Sequence, residues 1–125
     1  MTMSATDEPE FDWSQAASLL GDDPSQVPED MVEIVQELIE SVDQHLQELK
    51  KKNIETERKA IGAQAHQLRG SLLNFGFVAV GAVLMKIEKG VYPAEEYPAL
   101  ISQAENAFVA SKKLLGERYP SLKLT

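Results

Sequence analysis

A chain of 125 residues and 13.8 kDa, with 43% hydrophobic and 26% charged residues, has the size and composition of one soluble globular domain. The absence of cysteine excludes disulfides, cysteine-ligated zinc and thiol chemistry, and a net charge of −8 argues against a nucleic-acid binder. No apolar run approaches the roughly 18 residues that span a bilayer, and the acidic N-terminus is unlike a signal or transit peptide, so we expect a cytoplasmic protein without membrane contact.

The N-terminal part of the chain predicts a short helix behind a flexible segment. We expect residues 1–10 to form a flexible acidic lead. Asp12 followed by Gln15 resembles a capping box, which marks a helix start. Phe11 is placed to act as a hydrophobic staple for this helix, which we expect to run through Leu20.

Two longer helices follow, each with one apolar stripe. The first is predicted to open near Pro28 and to end at Asn53, with Met31, Ile34, Val35, Leu38, Ile39, Val42, Leu46 and Leu49 on its buried face. The second is predicted to end in a turn at Asn74–Gly76, because Asn and Gly accept the left-handed conformation. Its buried face comprises Ile54, Ile61, Ala65, Leu68, Leu72 and Phe75.

Two further helices complete the pattern. One is predicted to bury Phe77, Val80, Leu84 and Ile87 and to end at Gly90. The last runs to about Arg118 and is predicted to bury Tyr97, Ile101, Ala104, Phe108, Ser111 and Leu115. We therefore predict an all-α fold, an up-and-down antiparallel four-helix bundle with a short additional N-terminal helix. The bundle domain is expected to cover residues 11–118, followed by a C-terminal tail over residues 119–125.

Charge is distributed unevenly along the chain. Residues 1–49 carry 13 acidic and no basic side chains, whereas the remainder carries 12 basic and 7 acidic ones. Six of the basic residues lie between Lys50 and Arg69, and together with two glutamates they give a local charge of about +4. Such a patch favours an acidic partner through long-range steering. The alternative is that lysines near the end of the first long helix only complement its dipole.

The chain has two histidines in different settings. His45 is flanked by glutamines, and we expect it to be a solvated residue without a role. His66 lies beside the buried stripe of its helix and should point to water. Gly62 and Gly70 lie one turn before and one turn after it, although each costs a helix roughly 0.5–1 kcal/mol relative to alanine. A bare helix surface would let another protein approach the ring; for Gly62, close helix packing is the alternative.

The setting of His66 fits a phosphoryl carrier. A neutral imidazole keeps a lone pair on one ring nitrogen and can attack phosphorus. Arg69, three residues further along the helix, could neutralise phosphoryl oxygens. No carboxylate lies within one turn of His66 in the sequence, so a partner would have to supply the metal ligands that phosphoryl transfer needs.

The third and fourth predicted helices carry a recognisable set of residues, namely Ala65-His66-Gln67-Leu68-Arg69-Gly70-Ser71, Asn74-Phe75-Gly76, Leu84 and Ile87-Glu88. This set resembles the signature of histidine-containing phosphotransfer (HPt) domains, and the resemblance covers roughly residues 11–118. It implies that His66 is the phosphoacceptor of a two-component phosphorelay. The implied partners are receiver domains of response regulators and of a hybrid sensor kinase. No cofactor of the chain itself is implied, since Mg²⁺ would be supplied by the partner receiver domain.

The resemblance also implies roles for neighbours of His66. Arg69 would contact the phosphoryl group, and Gly70 would admit the receiver's active-site loop. Glu88 would lie level with His66 on the next helix, but its carboxylate would repel a phosphoryl group unless a nearby cation compensates; a water-mediated contact to the imidazole is the alternative. Partner docking is expected to involve Lys59, Gly62, Ala63, Gln67 and Leu73. Leu73 is larger than is usual in the family and could instead be a core residue.

Other functions were weighed against the phosphocarrier. A non-phosphorylated interaction module of the same fold, which binds a receiver or another regulator, is the second hypothesis. A di-iron bundle enzyme is excluded, because Val42 and Ala63 stand where the Glu-x-x-His motif needs glutamate. The chain has no glycine-rich ATP loop, which excludes a kinase. We therefore expect a protein that is not an enzyme.

Overall fold

The computed structural model describes residues 10–124, and all regular elements in that range are helical. The predicted all-α class is confirmed. Residues 1–9 of the predicted acidic lead lie outside the described residues. No helix between residues 10 and 124 is long and apolar enough to cross a bilayer. The α-helices are α1 (Trp13–Leu20), α2 (Glu29–Lys51), α3 (Ile54–Asn74), α4 (Val78–Lys89) and α5 (Tyr97–Arg118), with short 3-10 helices at Ala94–Glu96 and Pro120–Leu122.

The four longer helices form a closed set of neighbours. α3 packs on α2 and on α4, and α5 packs on α4 and on α2. These are the neighbours that a four-helix bundle requires. The up-and-down direction of the helices stays a prediction.

The buried face of each helix agrees closely with its apolar stripe. On α2, Val35, Ile39, Val42, Leu46 and Leu49 are buried, but Ile34 is 44% exposed and the prediction for it is wrong. Adjacent helical residues differ by about 100° in direction, so Val35 and Ile34 cannot both face the centre of the core. All six residues predicted for the core of α5 are buried. The stripes therefore fix which face of each helix remains outside.

The start of α1 is joined to the turn between α3 and α4. The Asp12 carboxylate accepts a hydrogen bond from the backbone N–H of Gln15 at 3.2 Å, which confirms it as the N-cap. The backbone N–H of Asp12 donates to the carbonyl oxygen of Gly76 at 2.9 Å. Phe11 packs on Phe77, with 5.1 Å between ring centroids. Gly76 has a φ of +93°, the left-handed conformation predicted for this turn.

The segment after α5 belongs to the bundle. Tyr119 and Leu122 are buried, and the side-chain amide of Gln36 on α2 donates to the carbonyl oxygen of Leu122 at 2.9 Å. Pro120 lacks the N–H that would continue the helix, so the chain turns and lays these apolar side chains on the core. Packing on the core therefore continues beyond Arg118, through Leu122.

Candidate functional site

The helix α3 holds His66 outside the bundle. Ile61, Ala65 and Leu68 are buried on its inner face, and they fix the rotation of the helix about its axis. The His66 side chain is consequently 63% exposed, which confirms the predicted exposure. In His45, by contrast, Nδ1 accepts a hydrogen bond of 2.8 Å from the side-chain amide nitrogen of Gln64.

A carboxylate from the neighbouring helix contacts the imidazole directly. Oε2 of Glu88, on α4, lies 2.8 Å from Nδ1 of His66. The predicted register between the two helices is therefore confirmed, whereas the alternative of a water-mediated contact is wrong. The helix register placed Glu88 level with His66, but it did not give a direct contact between two residues that lie 22 positions apart along the chain.

The contact with Glu88 determines which ring nitrogen of His66 keeps a lone pair. Hydrogen bonds from His66 and, more weakly, from Arg69 hold the pKa of the Glu88 carboxyl below its ordinary value, against an opposing effect of desolvation. At neutral pH this carboxylate can only accept, so Nδ1 of His66 carries the hydrogen. The lone pair is then on Nε2, which has no hydrogen-bond partner within residues 10–124. The geometry leaves the free lone pair on the solvent side of the ring.

Arg69 is held on Glu88. Its Nε and Nη2 atoms each lie 3.0 Å from Oε1 of Glu88, and its side chain is only 19% exposed. The hydrogen bond from Nε and the close positive charge at Nη2 together restrict the carboxylate more than a single contact would. Arg69 therefore compensates the negative charge beside His66, as the sequence required of one of the nearby cations.

The two glycines near His66 have different surroundings. A Cβ atom on Gly70 would have no neighbour within 4 Å, so this part of the helix surface is open. A Cβ atom on Gly62 would lie 3.1 Å from the carbonyl oxygen of Glu88. Close packing of α3 on α4, the alternative stated above, thus accounts for Gly62.

Leu73 packs towards α4. A Cβ atom on Gly81 would approach Cδ2 of Leu73 to 2.8 Å, so the leucine covers this glycine, and its side chain is half-buried. The structure favours the alternative of a packing residue. Sequence reasoning missed Gly81, although a lone glycine inside an apolar helix is a signal of close approach.

An open groove of about 760 Å³ lies between α3 and α4 beside His66. Four residues predicted for docking line it together with His66, namely Lys59, Gly62, Ala63 and Gln67. Lys89 lines it as well, and neither Lys59 nor Lys89 forms an ion pair with a described residue. The groove therefore combines small side chains with two unpaired ammonium groups.

The predicted basic patch is smaller than its sequence suggests. Lys50 is paired with Glu105, with 3.0 Å between Nζ and Oε2. Arg58 donates to the carbonyl oxygens of Gly90 and Tyr92 at 2.8 and 3.1 Å. Sequence reasoning missed this role of Arg58, which fixes the end of α4 at the groove. Part of the predicted positive charge is thus used inside the molecule.

Comparison with known protein families identifies the family of the chain. The family model of the Hpt domain matches residues 33–111, which is more than half of the chain and includes His66, Arg69, Gly70 and Glu88. Searches of the curated proteins and of the solved structures found no match. Among residues 10–124, no three His, Asp or Glu side chains are grouped so that they could hold a metal ion. The chain belongs to the Hpt domain family, and so to the proteins that take part in histidine phosphotransfer in phosphorelay signalling.

Proposed function

We propose that this chain is a histidine phosphocarrier, which accepts a phosphoryl group on Nε2 of His66 from one receiver-domain aspartate and passes it to another. The observation that carries the proposal is the exposed imidazole whose Nδ1 is bound by Glu88 while Nε2 is free. The proposed scaffold is the up-and-down four-helix bundle predicted from the sequence. The implied partners are receiver domains of response regulators and of a hybrid sensor kinase, in the cytoplasm.

The proposed step moves the phosphoryl group from an oxygen of the partner's aspartate to Nε2 of His66. The Nε2 lone pair of His66 attacks the phosphorus of the partner's aspartyl phosphate. The N–P bond forms while the P–O bond to the aspartate breaks, and the electron pair of that bond leaves on the partner's carboxylate. The hydrogen on Nδ1 stays in place, so the ring gains positive charge, which the adjacent Glu88 carboxylate stabilises. In the reverse direction, an aspartate of the second receiver attacks phosphorus and N–P cleavage restores the neutral ring.

The proposed roles of the neighbours follow from their contacts. Arg69 is a positioning residue, because it neutralises Glu88 and restrains the carboxylate that orients the ring. Lys59 and Lys89 supply positive charge beside a phosphoryl group that carries about two negative charges. The open surface at Gly70 gives the partner's loop access to the imidazole.

Docking is proposed to use the groove between α3 and α4. Ala63 and Gln67 would contact the receiver along the groove, and the two lysines would face acidic groups of the receiver. The divalent metal ion required for transfer, and the carboxylates that bind it, would belong to the receiver domain. On this proposal the chain is a phosphocarrier and not a catalyst.

The experiment is transfer of label from a phosphorylated receiver domain. We expect the parent chain to acquire acid-labile label in the presence of Mg²⁺, and His66→Gln to acquire none. His45→Gln is the matched control, because it removes the other histidine while leaving the site unchanged, and it should be labelled like the parent.

Labelling of His66→Gln to the level of the parent would refute the proposal, as would failure of the parent to take label from every receiver domain of its host. If His66→Gln took no label and yet controlled the regulatory output as the parent does, the interaction-module hypothesis would replace the phosphocarrier.

A further inference from the structure

α3 and α4 approach each other closely at Gly62, beside the site. A Cβ atom there would lie 3.1 Å from the carbonyl oxygen of Glu88, 3.9 Å from its carbonyl carbon and 4.0 Å from its Cα. These three atoms are backbone, so no side-chain rotation can move them away. A larger residue at position 62 must therefore displace α4 or α3 as a whole.

The same residue, Glu88, makes two different contacts with α3. Its backbone packs on Gly62, and its carboxylate binds His66 one turn further along the helix. The geometry points to Gly62 as a positioning residue, whose missing side chain lets the backbone of α4 approach closely enough for Glu88 to hold Nδ1 of His66. This inference rests on the proposed phosphocarrier function, and it assigns to Gly62 the control of which imidazole nitrogen is reactive.

The contact leaves little room for adjustment. Hydrogen bonds from nitrogen to oxygen weaken beyond about 3.2 Å, and the bond between His66 and Glu88 is 2.8 Å long. A displacement of the Glu88 backbone by a few tenths of an ångström would lengthen the bond between His66 and Glu88 to near this limit. The carboxylate cannot simply follow the ring, because Arg69 holds its other oxygen through a hydrogen bond from Nε and an ion pair with Nη2. A methyl group at position 62 should therefore weaken the bond without unfolding the helix.

The test is the tautomer of His66, read from nitrogen NMR of the imidazole in Gly62→Ala without any partner. We expect the ratio of the Nδ1–H to the Nε2–H form to fall roughly fivefold, the loss expected when a charge-assisted hydrogen bond is weakened but not broken. Gly70→Ala is the matched control, because it adds the same methyl group to the same helix in open space. Its tautomer ratio should equal that of the parent. An unchanged ratio in Gly62→Ala, or an equal fall in both variants, would overturn the inference.

A double-mutant cycle separates this role from direct docking at Gly62. In the parent, Gly62→Ala should slow phosphoryl transfer by up to roughly fivefold, because the weakened bond lowers the fraction of the Nδ1–H form and stabilises the charged ring less. In a Glu88→Ala background the same substitution should have no further effect on the rate, because the carboxylate through which Gly62 acts is gone. An equal slowing in both backgrounds would show that Gly62 contacts the partner and would refute the inference.

The outcome for Gly62 is distinguishable from the outcome for the phosphocarrier proposal. The tautomer is measured on the isolated chain, so it reports the α3–α4 geometry even if no receiver transfers phosphate. Failure of labelling with a normal tautomer response would refute the proposed function and leave the geometric role intact. A normal labelling rate with an unchanged tautomer would refute the role of Gly62 alone.

Discussion

Replacement of Gly76 by alanine tests how firmly the N-terminal segment is fixed to the hairpin of α3 and α4. The φ of Gly76 is +93°, and a residue with a Cβ in the left-handed region costs about 1–2 kcal/mol. The new Cβ would also collide with the carbonyl oxygen of Asp12 and lie 2.9 Å from Cε1 of Phe11. Relief of that collision would break the bond from Asp12 N–H to the Gly76 carbonyl oxygen, which contributes about 1 kcal/mol. We expect the free energy of unfolding to fall by about 3 kcal/mol.

The control for this substitution is Gly90→Ala. Gly90 also lies in the left-handed region, with a φ of +67°, but a Cβ there would make only an ordinary contact of 3.7 Å with the side chain of Arg58. It should therefore cost only the backbone strain of about 1–2 kcal/mol. The two variants are compared by urea unfolding, followed by circular dichroism and by the fluorescence of Trp13, the single tryptophan of the chain. Equal losses of stability in Gly90→Ala and Gly76→Ala would refute the argument that Phe11 and Asp12 are held by the turn.

Four further predictions concern the site and its support. Gly70→Gln should slow phosphoryl transfer at least about tenfold with unchanged helicity, because the side chain occupies open docking space, and normal transfer would contradict this. Tyr97→Phe should lower the free energy of unfolding by about 1 kcal/mol in urea titrations, because its hydroxyl donates to the carbonyl oxygen of Leu49 at 2.6 Å; unchanged stability would refute that contribution. The pKa of Glu88, followed by carbon NMR, should lie below 4.5 in the parent and rise towards 4.5 in His66→Ala. Because the folded pKa is lowered, the stability that Glu88 contributes is present above pH 4.5 and is lost as the pH falls through the folded value. A midpoint at or above 4.5 in the parent would contradict the contact with His66. Higher salt should slow association with a receiver, since screening acts over about 8 Å at physiological ionic strength, and a salt-independent association rate would remove steering from the mechanism.

The helices were predictable from sequence because a single physical signal fixes them. Apolar spacing placed the end of α4 at Gly90 and the last helix to Arg118. It failed for Ile34, where two adjacent apolar residues compete for one inward direction. It also did not predict that Leu122 packs on the core, because a segment of a few residues after a proline is too short to show a hydrophobic period.

The exposure of His66 and the nearness of Glu88 were predictable, but the direct contact between them was not. Helical period alone places the ring outside, whereas the contact with Glu88 depends on the separation of two helices to within tenths of an ångström. That separation is set by Gly62, whose function the sequence left open between docking and packing. The engagement of Arg69 with Glu88 also depends on side-chain geometry across the helix pair. Helical periodicity predicts the direction of a side chain, whereas its contacts across a helix pair depend on the three-dimensional structure.

The contact between His66 and Glu88 joins two helices, α3 and α4, that follow each other directly in the chain. His66 and Glu88 are 22 residues apart, whereas the bond that fastens the far end of the chain joins Gln36 to Leu122 across 86 residues. Short closures cost less chain entropy and form sooner during folding than long ones. The hydrogen bond that leaves Nε2 of His66 free can thus form as soon as α3 and α4 pack together, before Gln36 binds Leu122. Substitution of Gln36 or Leu122 should therefore shift the melting temperature, while the hydrogen bond between His66 and Glu88 stays unchanged.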